Sequence, residues 1–174
     1  KNKKFDIIHC HHSLSAMCLI LSFSFHKKIV VSFQNDPAHE FNFLFKIIKF
    51  FSNQLIFKNN SKLIKGKNTH YIPNGVNMKF FKPIERNYAL KKLGLNPSKI
   101  YILFVSSNFI RKQKRYDRFK VILKILKEDF SIKNIEELVL VNTSRNLVPY
   151  YFNACSLHLL TSDFEGSPNS VKEA

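Results

Sequence analysis

"LHLLTSDFEGSPNSVKEA", residues 157–174, is the stretch whose reading decides the fold. It opens as an apolar, strand-like run, passes through a loop holding Gly166, and closes as the start of a helix. Ser167 is a good N-cap residue, and Pro168 suits the first helical position, where no N–H is needed. Strand, loop and helix in that order make half of a β-α-β unit. The same stretch sets Glu165 and Glu173 on either side of the turn, in a chain with only 12 acidic residues against 28 Lys and Arg. Two carboxylates so placed ask for a reason.

Working outward, the same rhythm recurs. "FDIIH" reads as a strand, followed by a helix to about Phe25, the strand "KIVVSF", a helix over 38–51, the strand "QLIFK", a short helix, and "THYI". After the turn residues "IPNGVN" and Pro83 it restarts: a helix near 86–93, "KIYILFVS", a helix over 116–128, "EELVLVN", a helix over 148–155, "LHLLTS" and the final helix. Two α/β units therefore meet near residues 73–83, and the expected domains are 1–73 and 74–174. The chain opens on Lys1 and stops a few residues into a helix, so it reads as a fragment in which both units are incomplete.

Composition narrows the classes of function. The 45% hydrophobic content is normal for a globular core. The net charge of +16 invites nucleic acid, yet the lysines run the whole length and no recognition-module pattern accompanies them. No nucleic-acid partner is expected; anionic small molecules and an anionic membrane surface fit better. Three cysteines, Cys10, Cys18 and Cys155, form no Cys-x-x-Cys motif and cannot all pair, which points to a reducing cytoplasmic setting. The apolar run "AMCLILSFSF" is shorter than the roughly 18 to 20 residues that a membrane span needs.

Three further segments could carry chemistry. In the helix over 38–51, Asn42, Lys46 and Lys49 fall on one stripe and phenylalanines, isoleucines and a leucine cover the rest. That pattern fits a buried core helix or a basic, aromatic face resting on the inner surface of a membrane. "HCHH" at 9–12 suggests a metal, but strand alternation puts only His9 and His11 on one side and no further ligand pair is evident, so no metal site is expected. Strand-end packing, or a cleft-lining polar role for His11 or His12, are the other readings. "VSSNFIRKQKRYD" places Arg111, Lys112, Lys114 and Arg115 just past a strand's C-terminal end, where open α/β sheets bind ligands. The glutamate stretch also follows a strand and should open onto the same edge.

The helix start at Ser167 and Pro168 leaves backbone N–H groups pointing outward, a ready site for an anion, and Gly166 removes the Cβ that would bar close approach. Glu173 lies about 9 Å up the helix from Ser167 at roughly 1.5 Å per residue. The two carboxylates bracket the anion site. Ionised carboxylates only accept hydrogen bonds, which suits them to sugar and ribose hydroxyls.

"EGSPNSVKEA", the upstream "VPYYFNACSLHLLTSD" and "YIPNGVNMKFFKP" together closely resemble family 4 glycosyltransferases of the GT-B fold. The resemblance implies two Rossmann-like α/β domains facing a cleft, the first binding acceptor and the second the nucleotide sugar. It implies transfer from a nucleotide-diphosphate sugar to a glycan or lipid-linked acceptor, with retention and no obligatory metal, in cell-envelope or exopolysaccharide synthesis. By the family pattern Glu165 contacts the donor sugar and acts in catalysis, Glu173 contacts the ribose, and Lys112 binds the diphosphate. The family's frequent Gly-Arg pair falls at Ser106 and Ser107, and Arg111 takes the arginine's place. The histidine often found after the second strand of the first domain falls near Gln34, and the glycine after the lysine is Gln113. Other readings are a truncated, inactive nucleotide-binding remnant and a GT-B nucleotide-sugar epimerase; residues 1–174 alone are expected to transfer no sugar.

Overall fold

A computed structural model describes residues 5–22, 28–35 and 42–174. The chain divides into two units, Lys1–Asn74 with Glu165–Ser167, and Gly75–Phe164 with Pro168–Ala174.

The first unit runs β1 (Ile7–Cys10), α1 (Ser13–Leu21), β2 (Lys28–Phe33), α2 (Asn42–Phe51), β3 (Gln54–Phe57) and β4 (Thr69–Tyr71). Its four strands lie in chain order and pair in parallel, with Cys10 beside Val31, Val31 beside Leu55, and Leu55 beside Thr69. Helix-covered parallel strands read as near-continuous apolar runs, which is why β2 buries Ile29, Val31, Ser32 and Phe33. The Phe33 ring packs 5.2 Å from Phe57 and 5.7 Å from Phe45 of α2.

Two expectations are corrected here. The short helix between β3 and β4 is absent, and residues 58–68 form turns. Local side-chain bonds win over the helix there: the Ser61 hydroxyl accepts from the Leu63 N–H, the Thr69 hydroxyl donates to the Gly66 carbonyl, and Gly66 is left-handed at φ 97°. The helix expected to reach Phe25 stops at Leu21, where the Ser22 hydroxyl donates back to the Leu19 carbonyl. Residues 23–27, and the 38–41 start of the next expected helix, lie outside the described residues.

The second unit runs α3 (Arg86–Leu93), β5 (Ile100–Val105), α4 (Tyr116–Glu128), β6 (Ile135–Leu140), α5 (Val148–Ala154), β7 (Leu157–His158) and α6 (Asn169–Glu173). Its parallel sheet has the order β6-β5-β7. The central strand is apolar on both faces because both are covered. Tyr101 and Leu103 join the cluster of Leu90, Val148 and Phe152, while Ile102 and Phe104 join Phe119 and Leu123 of α4. Helix α3 is bounded by side chains: the Glu85 carboxylate accepts from the Asn87 and Tyr88 N–H groups, and Gly94 closes it at φ 67°.

Strand β7 is shorter than "LHLLTS". After Leu159 donates its N–H to the Leu103 carbonyl the chain leaves the sheet, drawn off by Thr161, whose hydroxyl donates to the Lys114 and Arg115 carbonyls.

Candidate functional site

Because β5, β6 and β7 run parallel, their following loops emerge at one edge of the sheet. That is the edge where α/β sheets of this kind hold ligands.

The loop after β5 is braced from within. The Ser106 hydroxyl donates to the Asn108 carbonyl, and the Asn108 side-chain oxygen accepts the Arg111 N–H. Arg111 and Lys112 are exposed at its tip, where a 3-10 turn spans Lys112–Lys114. Arg115 then takes a left-handed conformation, φ 52°, uncommon for a residue with a Cβ. Its guanidinium holds Asp117 at 2.9 Å and Asp163 at 3.0 Å. Those two carboxylates, Asp117 foremost, push the arginine further into its charged form, and Arg115 in turn holds Asp117 below the ordinary carboxylate value.

This cationic loop is bolted to the segment leading into Glu165. Gln113 donates its side-chain N–H to the Phe164 carbonyl at 2.6 Å, and its own carbonyl accepts the Asp163 N–H at 3.0 Å. Arg118 adds a bond to the Thr161 carbonyl and another to Asp163. Gln113 stands where the resembled family has glycine, so the departure from the family pattern supplies a clamp.

The loop after β6 brings in Arg145, which sequence reasoning missed. Its guanidinium donates to Glu173 Oε1 at 2.8 Å and lies 4.9 Å from the Phe81 ring centre. The Glu173 side chain is only 12% exposed, against 64% for Arg145. A pocket of about 340 Å³ opens beside the pair, lined by Ser106, Ser107, Asn142, Thr143, Arg145 and Glu173 among others. Asn142 is left-handed at φ 50°, a second strained non-glycine residue at this edge. The signal for Arg145 was available in "VNTSR": a basic residue in the loop directly after a strand of the same sheet.

Glu165, Gly166 and Ser167 belong to the first unit. Glu165 is half-buried. Ser167 is not the N-cap: its hydroxyl accepts the Asn74 N–H and its carbonyl accepts the Asn74 side-chain amide, so Pro168 takes the cap position and α6 starts at Asn169. Gly166 packs against protein backbone, where its lack of a side chain was expected to admit a ligand: a Cβ there would run into the carbonyl of Gln34.

At the end of β1, His11 and His12 are exposed, and the His9 ring lies 4.2 Å from His11, on the side that strand alternation assigns to both. His9 Nε2 is hydrogen-bonded to the Ser32 hydroxyl at 2.6 Å. Burial, then the neighbouring His11 and Lys58 charges, lower its pKa and favour the neutral ring. Among the described residues, no three His, Cys, Asp or Glu side chains gather as a metal site. The free thiol of Cys155 is pushed up to about 11, chiefly by burial, which disfavours the thiolate form.

No protein-family model and no curated protein matches the sequence. Solved structures do. Sucrose-phosphate synthase from Thermosynechococcus elongatus superposes with a TM-score of 0.65 at 14% identity, over 97% of this chain and 53% of that one. HepE of Anabaena, in complex with UDP and glucose, gives 0.64 at 14% identity, over 98% and 56%. Its complex with UDP-glucose gives 0.57 at 14% identity, over 90% and 53%. The chain thus spans about half the length of the structures it matches. The likeness defines the class of fold: parallel α/β units of the kind found in GT-B glycosyltransferases.

Proposed function

We infer that this chain is part of a glycosyltransferase using a nucleotide-diphosphate sugar. The observation that supports it best is the pocket at the ends of β5 and β6, where the mostly buried Glu173 carboxylate is oriented by Arg145 beside two serines, an asparagine and a threonine. A carboxylate beside a small pocket lined by both polar side chains and Val105, Leu140 and Val148 suits a nucleoside with ribose hydroxyls to bind. Lys112 and Arg111 on the neighbouring loop would offset the charge of the diphosphate, and Gly166, Ser167 and Pro168 before α6 are the further donor-binding positions of this reading. HepE binds UDP, UDP-glucose and glucose, so the neighbours' ligands agree with this chemistry.

In this reading Glu165 acts on the sugar. As the bond to the diphosphate breaks, positive charge grows at the anomeric carbon, and a nearby carboxylate stabilises that charge more than the ground state. The departing diphosphate takes the electron pair, eased by Lys112 and Arg111. The acceptor, a hydroxyl of a glycan or a lipid-linked sugar in cell-envelope or exopolysaccharide synthesis, bonds through its oxygen to the anomeric carbon on the face that the diphosphate leaves, which retains configuration, and its proton passes to the departing diphosphate; His11 and His12 are the acceptor-side residues of this reading. The unpaired Cys10, Cys18 and Cys155 fit a cytoplasmic setting, where sugar nucleotides are made.

Calorimetric titration of UDP tests the assignment. Binding that Glu173→Gln weakens about tenfold or more is the expected result. Absence of nucleotide binding, or equal binding by the variant, overturns it.

A further inference from the structure

A pocket lies in the first unit, at the edge of its sheet opposite the C-terminal ends of the strands. Helix α2 buries Phe45 and Ile48 in the core and turns other residues outward. Phe43 is 75% exposed and Phe50 82%, and Lys46 and Lys49 are exposed with them. Positions 43, 46 and 50 are three and then four residues apart, so they share one helix face. Two bare phenylalanines flanking a lysine are poorly suited to water.

The turn segment after β3 comes back to the start of β4 beside the end of this helix. There a pocket of about 250 Å³ is lined by Lys49, Ser52, Lys65, Gly66, Lys67 and Asn68, with Leu55 and Thr69. Ser52 is 8% exposed, and its hydroxyl has no hydrogen-bond partner. A buried hydroxyl without a partner is costly, and one that lines a ring of ammonium groups suits an anion carrying acceptor oxygens. Residues 42–67 hold six lysines and no Asp or Glu, so the charge here is not neutralised along the chain.

We propose that this lysine-lined pocket and the outer face of α2 form a docking surface for an anionic phospholipid membrane, with a lipid phosphate in the pocket and Phe43 and Phe50 in the headgroup layer. Charge complementarity selects the occupant. Lysines near an anionic leaflet and exposed aromatics at its boundary act together, whereas either alone holds a protein weakly. Lys49 belongs to both parts, lining the pocket and flanking Phe50. The test of this surface is independent of sugar chemistry.

The test is vesicle cosedimentation of the chain with phosphatidylcholine alone and with phosphatidylcholine containing phosphatidylglycerol, at low and high salt. Sedimentation with the anionic vesicles only, lost at high salt, is expected. Lys49→Glu, Lys65→Glu and Lys67→Glu combined should lower partitioning at least tenfold, since each lysine contributes roughly fivefold. Phe43→Ser with Phe50→Ser, judged separately with thermal melts as a folding control, should also weaken it. Equal binding to both vesicle types, no binding to either, or binding indifferent to both variants overturns the proposal. Inorganic phosphate seen to bind at the pocket by nuclear magnetic resonance, without vesicle binding, would make it a free-anion site and would overturn the membrane assignment. Retention on nucleic acid in place of anionic vesicles would do the same.

Discussion

Arg145 holds Glu173 by a single 2.8 Å bond while its guanidinium lies over the Phe81 ring. The arginine therefore has one face on an aromatic and one edge on a carboxylate, which fixes the carboxylate's direction more than its charge. Arg145→Gln should weaken nucleotide binding by about 1 kcal/mol, near fivefold, through a misdirected Glu173. Because the arginine is largely exposed, the melting temperature should hardly move. Titration of UDP beside a thermal melt decides it, and a large fall in stability with unchanged affinity would make the pair merely structural.

Arg111 and Lys112 sit exposed at the tip of a braced loop, and the function proposed above gives them the diphosphate. Arg111→Ala and Lys112→Ala should each weaken UDP binding by roughly 1.5 to 3 kcal/mol and leave uridine binding unchanged. Equal losses for the two ligands would count against the assignment.

Glu165 and Glu173 should differ in kind. Glu165→Gln is expected to lower kcat about 100-fold in the intact protein with nucleotide affinity preserved, because its bonds strengthen only as charge develops. Glu173→Gln should act on the donor KM. Steady-state transfer from the sugar nucleotide separates the two, and normal turnover by Glu165→Gln would refute its role.

Gly166 has no room for a methyl group against the Gln34 carbonyl. Gly166→Ala should cost about 1 to 3 kcal/mol of stability, as overpacking against backbone does. Urea unfolding measures it, and a neutral result would mean that the loop relaxes freely.

His158 is half-buried with no partner for Nε2, and burial, aided by the Lys114 charge, lowers its pKa. A histidine whose folded value lies below the unfolded 6.5 binds its proton first in the unfolded chain, so stability falls as pH drops below about 6.5 toward the folded value. Melts at pH 7.5 and pH 5 should show that fall, and His158→Leu should show a smaller one. An equal fall in both proteins would assign it to other groups.

The strand-and-helix order of both units was legible because the signals are strong and local. "IYILFV" is apolar on both faces because both are covered, and α4 matches its expected span residue for residue. Around the site, what failed was decided by single hydrogen bonds across long sequence separations. Ser167 has a cap residue's chemistry, yet its hydroxyl is engaged by Asn74, 93 residues away. Thr161 ends β7 early by reaching back to Lys114 and Arg115. Arg145 went unnoticed because an arginine gains a role only when its carboxylate partner, 28 positions on, folds beside it.

Gln113 and Asp163 join the loop after β5 to the loop after β7 in one hydrogen-bonded assembly. Order in one is thereby order in the other. If the donor binds as proposed, a phosphate that stills the first loop would remove part of the entropy that a sugar would otherwise have to remove from the second, and linkage would make the benefit mutual. The two halves of a donor would then be felt as one ligand, each half weak when offered alone.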